Sequence, residues 1–127
     1  MSKQAPIGLI GLAVMGENLA LNIESKGFPV AVFNRTVGKV DALLAGRARG
    51  KRFLGARSMA DFVAALERPR RIILMVKAGP PVDDMIEQIL PHIEAGDIVI
   101  DGGNSFFRDT RRRHDALKVR GGRFIGT

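Results

Sequence analysis

Residues 7–16, Ile7-Gly8-Leu9-Ile10-Gly11-Leu12-Ala13-Val14-Met15-Gly16, decide the fold. They read as a short buried strand, a tight turn and the start of a helix. Gly11, Ala13 and Gly16 fall on the G-x-[GA]-x-x-G spacing of dinucleotide-binding domains. Each position has a task. A glycine at 11 permits the sharp strand-to-helix turn, a small residue at 13 lets backbone lie against a pyrophosphate, and a glycine at 16 lets the helix pack on the sheet. Phosphates then meet unpaired N–H groups and the positive end of the helix dipole. Ala13 in place of the second glycine is a mild departure from the pattern.

The next stretch outward is Val30-Ala31-Val32-Phe33-Asn34-Arg35-Thr36, a second strand ending about twenty residues past the fingerprint. An acidic residue there would hold the ribose 2′-hydroxyl of NAD. This chain has Asn34 and then Arg35. A carboxylate would repel a 2′-phosphate, whereas a guanidinium pairs with it bidentately and stacks on adenine. Asn34 and Arg35 therefore predict NADP as the cofactor. Standing alone, Arg35 would read as a solvated strand-end arginine; the fingerprint at the right distance gives it a ligand.

Composition bounds the remaining choices. The chain has 127 residues, enough for one domain with a real core, and 46% hydrophobic with 26% charged residues is ordinary for a globular protein. No apolar run is long enough to span a bilayer, and Met1 to Pro6 lacks the apolar region of a signal peptide, so cytoplasmic residence is the expectation. With no cysteine, disulfide scaffolds, thiolate metal sites and cysteine catalysis are excluded, and no metal-ligand spacing is present. Much of the formal charge of +7 sits in clusters: Arg47, Arg49, Lys51 and Arg52; Arg68, Arg70 and Arg71; and Arg111, Arg112 and Arg113. Without Trp or Tyr to stack bases, and without one common face, these predict solvated loops and helix ends rather than a nucleic-acid surface.

Strand and helix signals alternate from end to end, which predicts a Rossmann-type, doubly wound parallel sheet with helices on both faces. Gly16, Leu19, Ala20 and Ile23 recur at helical spacing, and Gly27 suits a C-terminal cap. Val37, Val40 and Leu44 line a second helix, Phe53-Leu54 suggests a minor strand, and Ser58 with Asp61 resembles a capping box ahead of Met59, Phe62, Val63 and Leu66. Arg71 to Val76 reads as a strand buried on both faces. Pro80 and Pro81 open a helix with Val82, Met85, Ile86, Ile89 and Ile93 inward. Asp97 to Asp101 predicts another strand, Asp109 to Val119 a polar helix, and Arg123 to Gly126 a further strand. Residues 1–127 thus read as one cofactor-binding domain, cut off on its downstream side.

Ligands of open α/β sheets bind beyond the carboxyl ends of the strands. Those ends here are Gly11 to Gly16, Asn34-Arg35-Thr36, Val76-Lys77-Ala78-Gly79 and Asp101-Gly102-Gly103-Asn104-Ser105, all small, polar or cationic. Taken singly, Lys77 is a strand-end lysine and the glycine pair before Asn104 a turn. Together they predict one crevice.

These residues resemble the N-terminal domain of the 6-phosphogluconate dehydrogenase family, within the β-hydroxyacid dehydrogenases. The resemblance runs over GLAVMGENLALNIESKGF at 11–28, FNRT at 33–36, RPRRIILMVKAG at 68–79, GDIVIDGGNS at 96–105 and FIGT at 124–127. MVKAG and DGGNS are far more specific than the glycine fingerprint. The resemblance implies that Gly11, Leu12, Ala13, Val14, Met15 and Gly16 hold the NADP pyrophosphate. It gives Asn34, Arg35 and Thr36 the 2′-phosphate, lets Val76, Lys77 and Ala78 line the cofactor, and places Asn104 against both nicotinamide and substrate. The implied reaction is oxidation of 6-phosphogluconate at C3 and decarboxylation to ribulose 5-phosphate, a step of the pentose phosphate pathway, in a homodimeric enzyme. Its lysine base and glutamate acid are expected downstream of residue 127, so no catalytic residue is assigned within the chain. His92 and His114 read as surface residues, and nothing nearby would activate Ser105. Two other readings are the cofactor domain of another β-hydroxyacid dehydrogenase and a non-catalytic NADP-binding module on the same fold.

Overall fold

The computed structural model describes residues 4–76, 80–102, 112, 113, 115 and 118, together with the backbone of 123–126. Lys77, Ala78, Gly79, Asn104, Ser105 and His114 lie outside the described residues.

The chain alternates as the pattern predicts: β1 (Ile7–Ile10), α1 (Val14–Ser25), β2 (Val30–Phe33), α2 (Val37–Ala45), β3 (Phe53–Gly55), α3 (Met59–Ala64), β4 (Arg71–Leu74), α4 (Pro80–Ile89), a 3₁₀ turn (Leu90–His92), β5 (Ile98–Asp101) and β6 (Arg123–Gly126). Residues 112, 113, 115 and 118 are helical. The strands form one six-stranded sheet in the order β3-β2-β1-β4-β5-β6. Every pairing is parallel, with Leu9 opposite Val32 and Ile73, and Leu74 opposite Asp101. The order reverses between β1 and β4, which is the switch point where such sheets open a crevice.

Alternation along the strands feeds two cores. Ile10, Ile72, Leu74 and Val99 face α3 and α4, meeting Phe62, Val63, Met85, Ile86 and Ile89. Leu9, Val30 and Val32 face α1 and α2, meeting Ala20, Val40 and Leu43. Helices on both faces explain why the central strands read as continuous apolar runs. The capping box forms as expected, with Ser58 Oγ accepting from the Asp61 N–H at 3.1 Å. Gly27, at φ +100°, closes α1. On α2 it is Leu43 with Val40, and only partly Leu44, that turns inward.

Two basic residues depart from expectation. Arg70 and Arg113, expected in solvated clusters, are 7% and 1% exposed. Arg70 is held by Asp97: its N–H donates to Oδ1 at 2.8 Å and its guanidinium to Oδ2 at 3.1 Å. The same Oδ2 accepts from the Glu94 N–H at 3.0 Å. Asp97 is therefore the knot of the turn before β5 rather than its first residue, and the strand starts at Ile98. A buried charge needs a partner of this kind, and charge counting along the chain does not supply it.

Candidate functional site: the crevice above beta1, beta2 and beta4

The glycine loop is built by close contacts that exclude side chains. Gly11 sits at φ +107°, and a Cβ there would fall 2.7 Å from the carbonyl carbon of Met75. A Cβ on Gly16 would run into the Gly11 carbonyl and lie 3.2 Å from Met75 Cβ. Ala13 differs: it is exposed at the N-cap of α1, with φ −71° and ψ 179°. That conformation suits any L-residue, which explains the tolerated methyl group.

No side chain caps α1. Its first intrahelical bond is the Glu17 N–H to the Ala13 carbonyl, at 2.9 Å. The N–H groups of Val14, Met15 and Gly16 therefore point out of the helix end, where an anion satisfies them and meets the dipole. Val14 and Met15 are 74% and 73% exposed, large apolar side chains left open around this opening. Glu17, the acidic residue of the first turn, is paired with Arg47 at 2.8 Å, which offsets a charge that would oppose a phosphate.

At the end of β2, Asn34 spans two elements. Its Oδ1 accepts from the Leu12 N–H at 2.8 Å and its Nδ2 donates to the Thr36 carbonyl at 3.0 Å. Leu12 is buried, so this amide orients the glycine loop from within. Arg35 and Thr36 are exposed. Among the described residues no carboxylate pairs with Arg35, and the Thr36 hydroxyl, at the N-cap of α2, makes no cap bond. A guanidinium, a hydroxyl and an uncapped helix start thus share one edge of the crevice.

The structure adds Lys39, which the motif reading passes over. It lines a cavity of about 290 Å³ with Ala13, Val14 and Arg47. Its signal in the sequence is slight, a lysine in the first turn of α2, and only the packing of α1 beside α2 sets it next to the loop. Val76 touches the loop too, with Cγ1 3.1 Å from the Cβ position of Gly11. The exits of β4 and β5 adjoin: the Gly102 N–H donates to the Leu74 carbonyl at 2.8 Å, and a Cβ on Gly102 would strike Met75 Sδ. Of the expected site residues, the crevice brings together Gly11 to Gly16, Asn34, Arg35, Thr36 and Val76. A larger apolar cavity, about 390 Å³ beside Ile7, Ile23 and Phe28, opens at the amino ends of the strands, away from this crevice. No group of His, Asp or Glu among the described residues could hold a metal ion, and no helix among them is long and apolar enough to cross a membrane.

Residues 6–127 match the family model described as the NAD binding domain of 6-phosphogluconate dehydrogenase. The chain belongs to that family. It is 65% identical over 123 residues to the decarboxylating 6-phosphogluconate dehydrogenase of Treponema pallidum, and 56% identical over 124 residues to that of Rattus norvegicus. These matches cover 97% and 98% of this chain but 25% and 26% of the relatives, so the chain spans about a quarter of their length. The Plasmodium falciparum 6-phosphogluconate dehydrogenase, solved in apo form, with its cofactor NADP+ and with its substrate 6-phosphogluconate, superposes with a TM-score of 0.83 at 43% identity, over 93% of this chain and 26% of its own. A reductive aminase from Aspergillus terreus reaches a TM-score of 0.80 at 20% identity, which shows the shared fold.

Proposed function

We propose that this chain is the NADP-binding domain of an enzyme that oxidatively decarboxylates 6-phosphogluconate to ribulose 5-phosphate, CO2 and NADPH. The observation that carries the cofactor choice is the end of β2. Asn34 is spent on tying Leu12 to Thr36, no carboxylate stands where NAD would need one, and Arg35 beside it is exposed and unpaired among the described residues. The pyrophosphate sits on the N–H groups of Val14, Met15 and Gly16, and the 2′-phosphate meets Arg35, Thr36 and Lys39. Val76, Lys77 and Ala78 line the path to the nicotinamide, and Asn104 touches both nicotinamide and substrate. When bound, NADP supplies the hydride acceptor for oxidation at C3. The base and acid belong to parts of the enzyme outside this domain, so the domain alone binds cofactor without turnover. The fit of this reading to relatives that carry the decarboxylating name favours it over another hydroxyacid dehydrogenase or a non-catalytic module. A cytoplasmic homodimer, acting on this small molecule without nucleic acid or membrane, completes the reading.

Titration of NADP and NAD into the wild type and Arg35→Ala tests it. A charge-assisted contact contributes about 1.5–3 kcal/mol, so the variant loses roughly ten- to a hundredfold in NADP affinity with little change for NAD. Added salt narrows the wild-type preference, because an exposed ion pair is screened. Equal affinity for the two cofactors in the wild type, or an undiminished preference in the variant, overturns the assignment.

A further inference from the structure

We propose that Arg113 is a positioning residue for the nicotinamide half of the cofactor, clamping the exit of β5 to the first turn of α4. The inference rests on the NADP reading above. Arg113 is 1% exposed and Asp101, the last residue of β5, is fully buried. The Arg113 guanidinium reaches Asp101 Oδ2 at 3.6 Å through Nη1, and its Nε donates to Asp83 Oδ1 at 2.8 Å. Arg112 reaches the second oxygen of the same Asp83, Oδ2, at 3.2 Å. Asp83 lies in the first turn of α4, immediately after the β4–α4 connection. One buried side chain thus joins the end of β5 to the first turn of α4.

The location separates this cluster from the other buried charges. Among the described residues those are Glu24, Arg70 and Asp97, and they lie at the amino ends of the strands, where they tie turns together. Asp101 and Arg113 stand at the carboxyl end, the ligand side of the sheet. Buried ion pairs add little stability over apolar packing, because desolvation offsets the attraction, but they set geometry strictly. A forked guanidinium with a carboxylate on each side sets a spacing that an apolar contact would leave loose. In a doubly wound sheet the first half, β1 to β3, takes the adenosine and the half from β4 onward takes the nicotinamide. A clamp between β5 and α4 therefore acts on the nicotinamide half and leaves the adenosine half, held at Arg35, untouched.

The test compares NADP with adenosine 2′,5′-bisphosphate, which carries the 2′-phosphate and lacks the nicotinamide half. Both are titrated by calorimetry into the wild type, Arg113→Lys and the double variant Asp101→Asn with Arg113→Met, which removes a buried charge from each side and leaves Asp83 paired to Arg112. The wild type binds NADP more tightly than the bisphosphate. The double variant loses about tenfold of that advantage with its bisphosphate affinity unchanged, the scale expected of a network residue outside the ligand contact. Lysine keeps the charge without the fork and so recovers part of the loss. An unchanged ratio in a double variant that folds by circular dichroism overturns the proposal. Where the double variant does not fold, Arg113→Lys decides alone: a reduced ratio supports the clamp and a wild-type ratio overturns it. Failure of the wild type to bind the bisphosphate overturns the NADP reading itself, a result distinct from an unaltered ratio.

Discussion

Gly16→Ala isolates the physical demand of the glycine loop. The added methyl would enter the Gly11 carbonyl oxygen, lie 3.0 Å from the Gly11 carbonyl carbon and 3.2 Å from Met75 Cβ. Two of these atoms are backbone and the third starts the exit of β4, so no flexible side chain can swing aside. Ordinary contact requires the Gly11 carbonyl to retreat by roughly an ångström or more. Overpacking of this kind costs about 1–3 kcal/mol, and the rigidity of the neighbours puts Gly16 at the upper end. Alanine's better helix propensity returns up to ~1 kcal/mol, leaving a net loss of about 2 kcal/mol. For a domain of this size ~1 kcal/mol corresponds to about 4 °C, so thermal unfolding shifts down by roughly 8 °C. On the proposed binding mode, the same movement turns the Val14 and Met15 amides away from the pyrophosphate. Loss of one charge-assisted bond removes about ten- to a hundredfold of NADP affinity. The assay is paired: a melt followed by circular dichroism, and NADP titration well below the midpoint. A variant that melts with the wild type and binds NADP equally well refutes the close-contact account of this loop.

Gly38→Ala runs the opposite way. Gly38 lies inside α2 with nothing within 4 Å of its Cβ position, so the variant gains about 0.5–1 kcal/mol in urea unfolding and leaves NADP affinity as it was. Glu24→Gln flattens the acid limb of stability. The Arg52 N–H bond at 2.9 Å leads in holding the Glu24 carboxylate below its ordinary value of 4.5, so its contribution is present above that pH and is lost as pH falls through the depressed value. Stability measured from pH 6 downward should fall less steeply in the variant, with Asp83, also depressed chiefly by its Arg113 hydrogen bond, retaining part of the slope.

The order of strands and helices was legible in the residues because both periodicities are local. Ile7 to Ile10 and Ile72 to Leu74 carry no polar side chain, as strands covered on two faces must not, and Gly11 and Gly16 stand where backbone contacts forbid a Cβ. The end of β2, just before Asn34 and Arg35, was legible because a strand end is a fixed place in this fold. What Asn34 does there was not legible. Its bond to Leu12 crosses 22 residues of sequence, and only the pairing of β1 with β2 brings amide and N–H together. Lys39 likewise gains its place from helix packing. The basic clusters misled for the same reason. Arg70 and Arg113 look like their exposed neighbours in the chain, and only tertiary contacts supply the carboxylates of Asp97, Asp83 and Asp101 that let a charge leave water. Sequence alone determined the alternation and the glycine loop, since these follow from single residues and their near neighbours. Tertiary structure decided which charges are buried and which side chains orient the loop, because burial and pairing are properties of residues distant along the chain.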